Sequence, residues 1–470
     1  MAVSPARAAA FAILLRVERE DSYAAELLHS EPLAALSSRD HGLATELVMG
    51  VLRWQSLVDE RLAEASSQKI ERLDDEVLIA LRLGVYQLRF LSRVPARAAI
   101  FESVELVKAA RKRSAASFVN AVLRKIAASG AGDAFAEIDR SSDAVTLARD
   151  AAHPPWLIAR WTERYGLEAA HKICAHDQTV PETAIHIHGN QFNPNQANQD
   201  QTAGELAAAG AQLAPGRLLS SARRILSGDL TGTRAYQDGR VSIQDEASQL
   251  IALLVGHGEM ILDCCAAPGS KTALLAGRNP HSRVFAAELH PHRARLLQSL
   301  HRLPNVHVVA ADARHLPFSP SLTFDRILVD VPCSGTGTLA RNPEIKWRLK
   351  AEDLRDLPSR QVAILKSALA RLATGGSLVY STCSLEREEN EEVVEAALEN
   401  AAEFHVADLR GELERLRLSG ELSPELSCEL SREHGGMNIT SLLSGPYLRT
   451  IPGVHPCDGF FAVLIERRGG

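Results

Sequence analysis

Between Glu259 and Thr272 the chain reads Glu-Met-Ile-Leu-Asp-Cys-Cys-Ala-Ala-Pro-Gly-Ser-Lys-Thr, a stretch that few folds accommodate. Met260–Leu262 is an apolar run long enough for one buried strand, Ala267-Pro268-Gly269 is a turn, and Lys271–Ala276 suits a helix. Strand, small-residue turn and helix is how an open α/β sheet presents backbone N–H groups to a ligand. Glu288 stands 19 residues beyond Gly269, after a second apolar run, Arg283–Ala287. A carboxylate there can accept both hydroxyls of a ribose. The loop holds one glycine, so it is neither the Gly-x-Gly-x-x-Gly dinucleotide fingerprint nor a P-loop. A single glycine suits a ligand without a pyrophosphate, S-adenosylmethionine being the common one. The competing reading is an ordinary strand-to-helix turn that binds nothing.

The alternation continues to the end of the chain. Apolar runs at 284–287, 306–310, 324–331 and 377–380 are separated by helical stretches, which predicts a parallel sheet. Phe460–Ile465 reads as a late strand added antiparallel at an edge. Residues 1–128, in contrast, show only helical spacing: Phe11, Leu14 and Leu15; Leu43, Leu47 and Val51; Leu78, Leu81 and Val85; Phe118, Val119, Val122 and Leu123. That predicts an all-α bundle. Ser129-Gly-Ala-Gly-Asp133 opens a polar stretch that reads as a linker. Trp156–His176 reads as helix, Thr183–His188 as a strand and Asn190–Gln201 as an exposed loop. A helix over Thr202–Ala209 and strands near Leu218 and Ile225 complete a small α+β unit. The expected domains are a bundle over 1–130, a linker over 131–152, the α+β unit over 153–235, and the α/β domain over 236–470. His186 and His188 share a strand face without a third ligand nearby, so no metal site is expected.

Composition excludes several classes. No apolar run approaches a membrane span, and the N-terminal apolar stretch is broken by Arg16, Glu18, Arg19 and Glu20. Seven cysteines without a Cys-x-x-Cys pair argue against a disulfide framework and for a reducing cytoplasm. A monomer is the expected state. The net charge of −6 speaks against nucleic-acid binding, but its distribution is uneven. Residues 1–75 hold 8 Lys/Arg and 13 Asp/Glu, whereas residues 76–130 hold 10 and 3. Lys108, Arg111, Lys112, Arg113, Arg124 and Lys125 gather around Ser114–Ser117. Helix C-terminal dipoles and an RNA phosphate backbone would each want cations there.

Three carboxylates follow strand ends: Glu288, Asp312 and Asp330. Ligands of open α/β sheets bind beyond the carboxyl ends of strands, so all three are expected at one crevice, Asp312 accepting from an adenine amino group. A helix cap is the alternative role for any one of them. Two cysteines also follow strand ends, Cys333 after Asp330-Val331-Pro332 and Cys383 in Tyr380-Ser-Thr-Cys-Ser384. Methyl transfer to C5 of cytosine explains such a pairing of thiol and acid. C5 is a poor nucleophile until a thiolate adds to C6, and a carboxyl group donating to N3 drains the developing charge. The thiolate needs a lowered pKa, for which a helix N-terminus just after Ser384 is the expected source.

The sequence thereby resembles a known family. Cys265–Lys271, Asp330-Val-Pro-Cys-Ser334, Arg341-Asn-Pro-Glu-Ile-Lys-Trp347, Ser381-Thr-Cys-Ser384 with Glu388-Glu-Asn390, and Asp458-Gly-Phe-Phe461 together resemble the RNA 5-methylcytosine methyltransferases of the RsmB, RsmF and NSUN group. The resemblance implies that Cys383 is the nucleophile, that Cys333 resolves the adduct, and that Asp330 assists. It places S-adenosylmethionine contacts on Cys265, Ala266, Ala267, Pro268, Gly269, Ser270, Lys271, Glu288, Asp312 and Asp330. Arg93-Val-Pro-Ala-Arg-Ala-Ala-Ile100, Glu102–Val107 and Phe118–Arg124 resemble a NusB-type RNA-binding domain. That combination implies 16S rRNA as the substrate. Transfer RNA as substrate, and a non-catalytic RNA-binding assembly or antitermination factor, stay open. The chain departs from the family in Gly-Ser-Lys for Gly-Gly-Lys, in Asp-Val-Pro-Cys for Asp-Ala-Pro-Cys, and in Ile185-His-Ile-His188. Gly411–Ser444 matches none of its motifs.

Overall fold

The computed structural model describes residues 3–20, 22–29, 33, 36–129, 134–188, 196–300, 303–424, 426–427 and 437–469. They divide into two compact units, Met1–Pro181 with Leu339–Leu349, and Glu182–Thr338 with Lys350–Gly470.

The first unit is helical. Its bundle is built from Pro5–Glu20, Ser38–Arg53, Gln55–Ala65, Asp75–Phe90, Ala96–Ala109 and Ala116–Ala128. Asp75–Phe90 is the inner helix, with Val77 and every residue from Ile79 to Gln87 buried. A helix covered on all sides must be apolar all round, and its one buried cation shows what an exception requires. Arg82 is 5% exposed and pairs with both Asp59 oxygens at 2.8 Å and with Glu18 at 3.2 Å.

Where composition suggested a linker, the structure has helices at Ala134–Arg140 and Ala144–Asp150. The polar residues there cap rather than break. Asp143 accepts the N–H groups of Val145 and Thr146, both at 2.9 Å, and Thr146 returns the bond as a capping box. Residues 130–133, where the linker reading began, lie outside the described residues. Pro155–Tyr165 and Leu167–Gln178 also belong to this first unit.

The second unit holds two main sheets. β1 (Thr183–Ile187), β2 (Gln212–Pro215), β3 (Ala222–Ser227) and β4 (Val241–Ile243) form an antiparallel sheet in the order β2-β3-β1-β4. The helix flanking it runs over Gln196–Ala208, so it begins within the stretch expected to be loop; residues 190–195 of that stretch are outside the described residues.

The larger sheet contains β5 (Met260–Asp263), β6 (Arg283–Glu288), β7 (Val306–Ala310), β8 (Phe324–Asp330), β9 (Leu372–Thr382) and β10 (Phe404–Ala407). A two-stranded ladder, β11 (Leu426–Ser427) with β12 (Met437–Asn438), stands apart, and β13 (Leu443–Ser444), β14 (Tyr447–Thr450) and β15 (Phe460–Arg467) complete the large sheet. Its order is β13-β14-β15-β9-β8-β5-β6-β7, with β10 also on β15. β5 to β9 are mutually parallel, so their carboxyl ends share one side, where Asp263, Glu288, Asp330 and Thr382 stand.

β15 is antiparallel to β9, as its late position suggested, but it is not an edge strand. β14 pairs with its first half and β10 with its second. Phe460 to Ile465 are all buried, which is why that run is continuously apolar rather than alternating. Behind the sheet lies Glu246–Val255, a helix with all ten residues buried.

Candidate active site

β5 ends at Asp263, and the chain turns through Cys264–Gly269 into the helix Ser270–Arg278. Gly269 lies at φ +114°, a conformation that side chains disfavour, so the loop's one glycine stands where the backbone requires it. No side chain caps this helix, which leaves its first N–H groups to a ligand or to water. Asp263 accepts the Thr272 hydroxyl at 2.7 Å, and burial lifts its pKa to about 6. Ala266 donates its N–H to Ala287 at 2.9 Å, tying the turn to the end of β6. The next residue of β6, Glu288, is 6% exposed. One of its carboxylate oxygens accepts the N–H of His290 at 2.9 Å, and among the described residues the carboxylate makes no other hydrogen bond.

Asp312 is differently placed. It caps the short helical turn Ala313–His315 and is held by Arg314, through the backbone N–H at 2.9 Å and the guanidinium at 2.6–3.0 Å. Those bonds hold its carboxyl down at a pKa of about 2. The capping role and the ion pair are therefore what the structure gives Asp312, and an adenine amino group would have to share it with Arg314.

The two strand-end cysteines meet. Cys333 Sγ and Cys383 Sγ are 3.3 Å apart. Beside Cys383 in the sequence order of β9, Ser381 donates to Asp330 at 2.7 Å, and the other oxygen of Asp330 takes Lys271 Nζ at 2.7 Å. Burial opposes the charge on Lys271, but Asp330 outweighs it, with Cys383 and Asp263 adding, so its pKa lies above the ordinary lysine value. The lysine of the cofactor-type turn is thus turned to the catalytic side, 5.4 Å from the Phe460 ring centroid. The thiol of Cys333 is pushed well above its ordinary range by the hydrogen bond to Cys383, by burial, and by the charges of Cys383 and Glu389.

The helix expected directly after Ser384 is absent. A 3₁₀ turn spans Arg387–Glu389, and the α-helix begins at Glu391. Acidic residues fill that turn and the start of the helix, which disfavours a helix beginning at a thiolate; the cation in the neighbourhood is Lys271 instead.

Close backbone packing explains two more motifs. Gly337 donates its N–H to the carbonyl of Cys383 at 2.8 Å and accepts that of Gly459 at 2.7 Å. A Cβ on Gly337 would stand 2.2 Å from the Gly459 oxygen, so the Asp458-Gly-Phe-Phe461 motif is in part a seat for the Cys383 loop. Glu389, quoted from the sequence without a role, is fully buried and bonded to the residues that follow both cysteines. The signal was present, but its partner Ser334 is 55 residues away in sequence.

Other singled-out residues lie elsewhere. Arg341–Trp347 belongs to the helical unit, where Lys346 donates to the carbonyls of Arg53 at 2.7 Å and Ala152 at 3.0 Å. In the basic cluster, Lys108 pairs with Glu105, Lys112 with Asp74, and Lys125 caps the carbonyls of Glu64 and Ala65; Arg111, Arg113 and Arg124 are exposed. His186 bonds Gln249 at 3.2 Å and His188 bonds Ser242 at 3.0 Å, side-chain contacts of an ordinary kind. A cavity of about 610 Å³ lined by His257, Arg278 and Arg326 lies at the amino ends of the strands, opposite the thiols.

Comparison with known proteins agrees with this architecture. The family model described as 16S rRNA methyltransferase RsmB/F matches residues 250–466, and that of the NusB family matches residues 4–128. A probable ribosomal RNA small subunit methyltransferase B of Bacillus subtilis is 34% identical, covering 97% of each chain. The ribosomal RNA small subunit methyltransferase B of Pseudomonas syringae is 35% identical over 80% of this chain and 82% of its own. Among solved structures, that of PH0851 shares the fold with a TM-score of 0.77, at 22% identity, covering 99% of this chain and 100% of that one. The chain therefore belongs to the RsmB/F family of 16S rRNA methyltransferases, with a NusB-family domain at its N-terminus.

Proposed function

We propose that this methyltransferase acts on C5 of a cytosine in 16S rRNA, through a covalent bond from Cys383 to C6 of the base. The observation that carries this reading is the approach of the two thiols to 3.3 Å beside the Lys271–Asp330 pair. S-adenosylmethionine, when bound, supplies the methyl group as an electrophile. The residues present suit it: an uncapped helix start after Gly269, and the buried carboxylate of Glu288 with accepting capacity to spare. Residues 265–271, Glu288, Asp312 and Asp330 are the ones that would hold it.

The chain's own groups then divide the work. The target base is extruded from its stack, because C6 cannot be reached otherwise. Cys383 passes its proton to Asp330 and forms the S–C6 bond, while the C5–C6 π electrons move toward N3. Asp330 donates that proton to N3, which neutralises the developing charge, and Lys271 beside it steadies the carboxylate. After C5 is methylated, a base removes the C5 proton, the S–C6 bond breaks and the aromatic ring is restored; Cys333 assists this release. We further propose the residue 1–130 bundle and the 153–235 unit as the RNA-docking parts, with 236–470 as the catalytic domain. A cytoplasmic monomer is part of the same reading; among the described residues no helix is long and apolar enough to cross a membrane.

The test is bisulfite sequencing of ribosomal and transfer RNA from a deletion strain complemented with wild type or Cys383→Ala. One protected cytosine should disappear from 16S rRNA on deletion and return with wild type only. Loss confined to a transfer RNA would replace the substrate, and restoration by Cys383→Ala would remove the nucleophile.

A further inference from the structure

We infer that Glu389 is the positioning residue that sets the two thiols against each other, clamping the residue after each cysteine with one buried carboxylate. This rests on the reading of Cys383 and Cys333 given above. Glu389 is 0% exposed. One of its oxygens accepts the Ser334 N–H at 2.8 Å and Gln361 Nε2 at 2.9 Å. The other accepts the hydroxyls of Ser334 and Ser384, the latter at 2.5 Å. Ser334 follows Cys333 and Ser384 follows Cys383, and their hydroxyls are 3.0 Å apart. Cross-linking the two loops one residue beyond the thiols leaves the sulfurs little freedom to separate.

The clamp is itself held. Tyr380 Oη donates to the Glu389 carbonyl at 2.6 Å. Asn390, also fully buried, accepts the Thr382 hydroxyl at 2.6 Å and donates to the Ser384 carbonyl at 2.9 Å. The loop carrying Cys383 is thus bonded on both sides of the sulfur, through Thr382 and Ser384.

Packing alone would not select this arrangement. Among the described residues Glu389 forms no ion pair, and a buried carboxylate without a cation is costly. Beside the hydrogen bond to Cys383 and burial, its charge helps raise the Cys333 thiol, which a neutral residue could not do. The Ser334 N–H it accepts belongs to the residue next to that thiol, so the carboxylate favours the proton on Cys333.

Glu389→Ala and Glu389→Gln in the full chain test this. An amide can keep the clamp, its oxygen taking Ser334 N–H and Gln361 while its NH₂ donates to the two hydroxyls, but it carries no charge. With saturating S-adenosylmethionine, Glu389→Ala should lower kcat about 100-fold, with KM for the cofactor within about two-fold. Glu389→Gln should recover about ten-fold of that loss. The second readout is the pH profile of iodoacetamide labelling, resolved by peptide mass. In Glu389→Gln the midpoint for Cys333 should move to lower pH, a change that lost packing alone would not produce.

Turnover of Glu389→Ala within about three-fold of wild type, by the same scale, would overturn the clamp. If that variant does not fold, Glu389→Gln decides, and an unmoved Cys333 midpoint overturns the inference. Labelling needs no turnover, so methyl transfer surviving in Cys383→Ala would sink the catalytic reading separately.

Discussion

Lys271 is the residue whose position says most about the site. From the sequence it belonged to a ligand-binding turn; in the structure its ammonium lies 2.7 Å from Asp330 and bears electrostatically on Cys383. Replacing it by Met would remove the ammonium that pairs with Asp330. Lys271→Met is expected to lower kcat about 100- to 1,000-fold, the scale of losing one preorganised donor, and to weaken cofactor binding by much less. Single-turnover kinetics with calorimetry of cofactor binding would separate the two; equal losses in both would return Lys271 to the turn. Cys333, Cys383, Asp330 and Glu288 were legible because strand-end position plus residue type is a local signal. Glu389 and the orientation of Lys271 were not, because each has a partner more than 50 residues away, Ser334 and Asp330. Asp312 was half legible, since a strand-end carboxylate and a cap look alike until Arg314 is seen to occupy it.

At the scale of elements, the five parallel strands could be read from their apolar runs, even β7, no residue of which is fully buried. The interior place of β15 could not, because its neighbours β10 and β14 have only four residues each. The helices over 134–150 escaped notice for a related reason: short capped helices look polar. The segment 339–349 was harder still. It follows the Pro-Cys motif in sequence yet forms part of the helical unit, with Lys346 1% exposed.

That buried lysine has a measurable consequence. Burial lowers its pKa to about 7, among Asp177, Cys174, Arg53 and the buried His153. Below pH 7 the side chain is protonated both folded and unfolded. Between about pH 7 and its ordinary value of 10.5 the unfolded chain holds a proton the folded one lacks, so stability rises with pH there. Lys346→Met should abolish that rise, on the order of 2 kcal/mol between pH 7 and 9. It should also cost about 1–3 kcal/mol at either pH, because the carbonyls of Arg53 and Ala152 lose this donor. Urea melts of both proteins at the two pH values check this; parallel pH dependences would mean Lys346 stays charged in the fold.

On the scale of the whole molecule, two different physical problems are solved by separate stretches of one chain. A helical unit with no strand among its described residues carries the cations Arg111, Arg113 and Arg124 on its surface. An α/β unit gathers carboxylates, a lysine and two thiols at one end of its parallel strands. Periodicity separated the helical from the α/β part, but not at the boundary the fold draws, which puts residues 153–181 and 339–349 with the helices. The proposed reaction turns on which sulfur bonds to the base. The most direct measurement is peptide mapping by mass spectrometry after incubating Cys333→Ala with 16S rRNA and S-adenosylmethionine, followed by nuclease digestion. A nucleotide mass carrying one added methyl group, fixed to the peptide that contains Cys383, is expected. An unmodified Cys383 peptide, or the nucleotide attached at another residue, would contradict a thiol pair working in sequence on one cytosine.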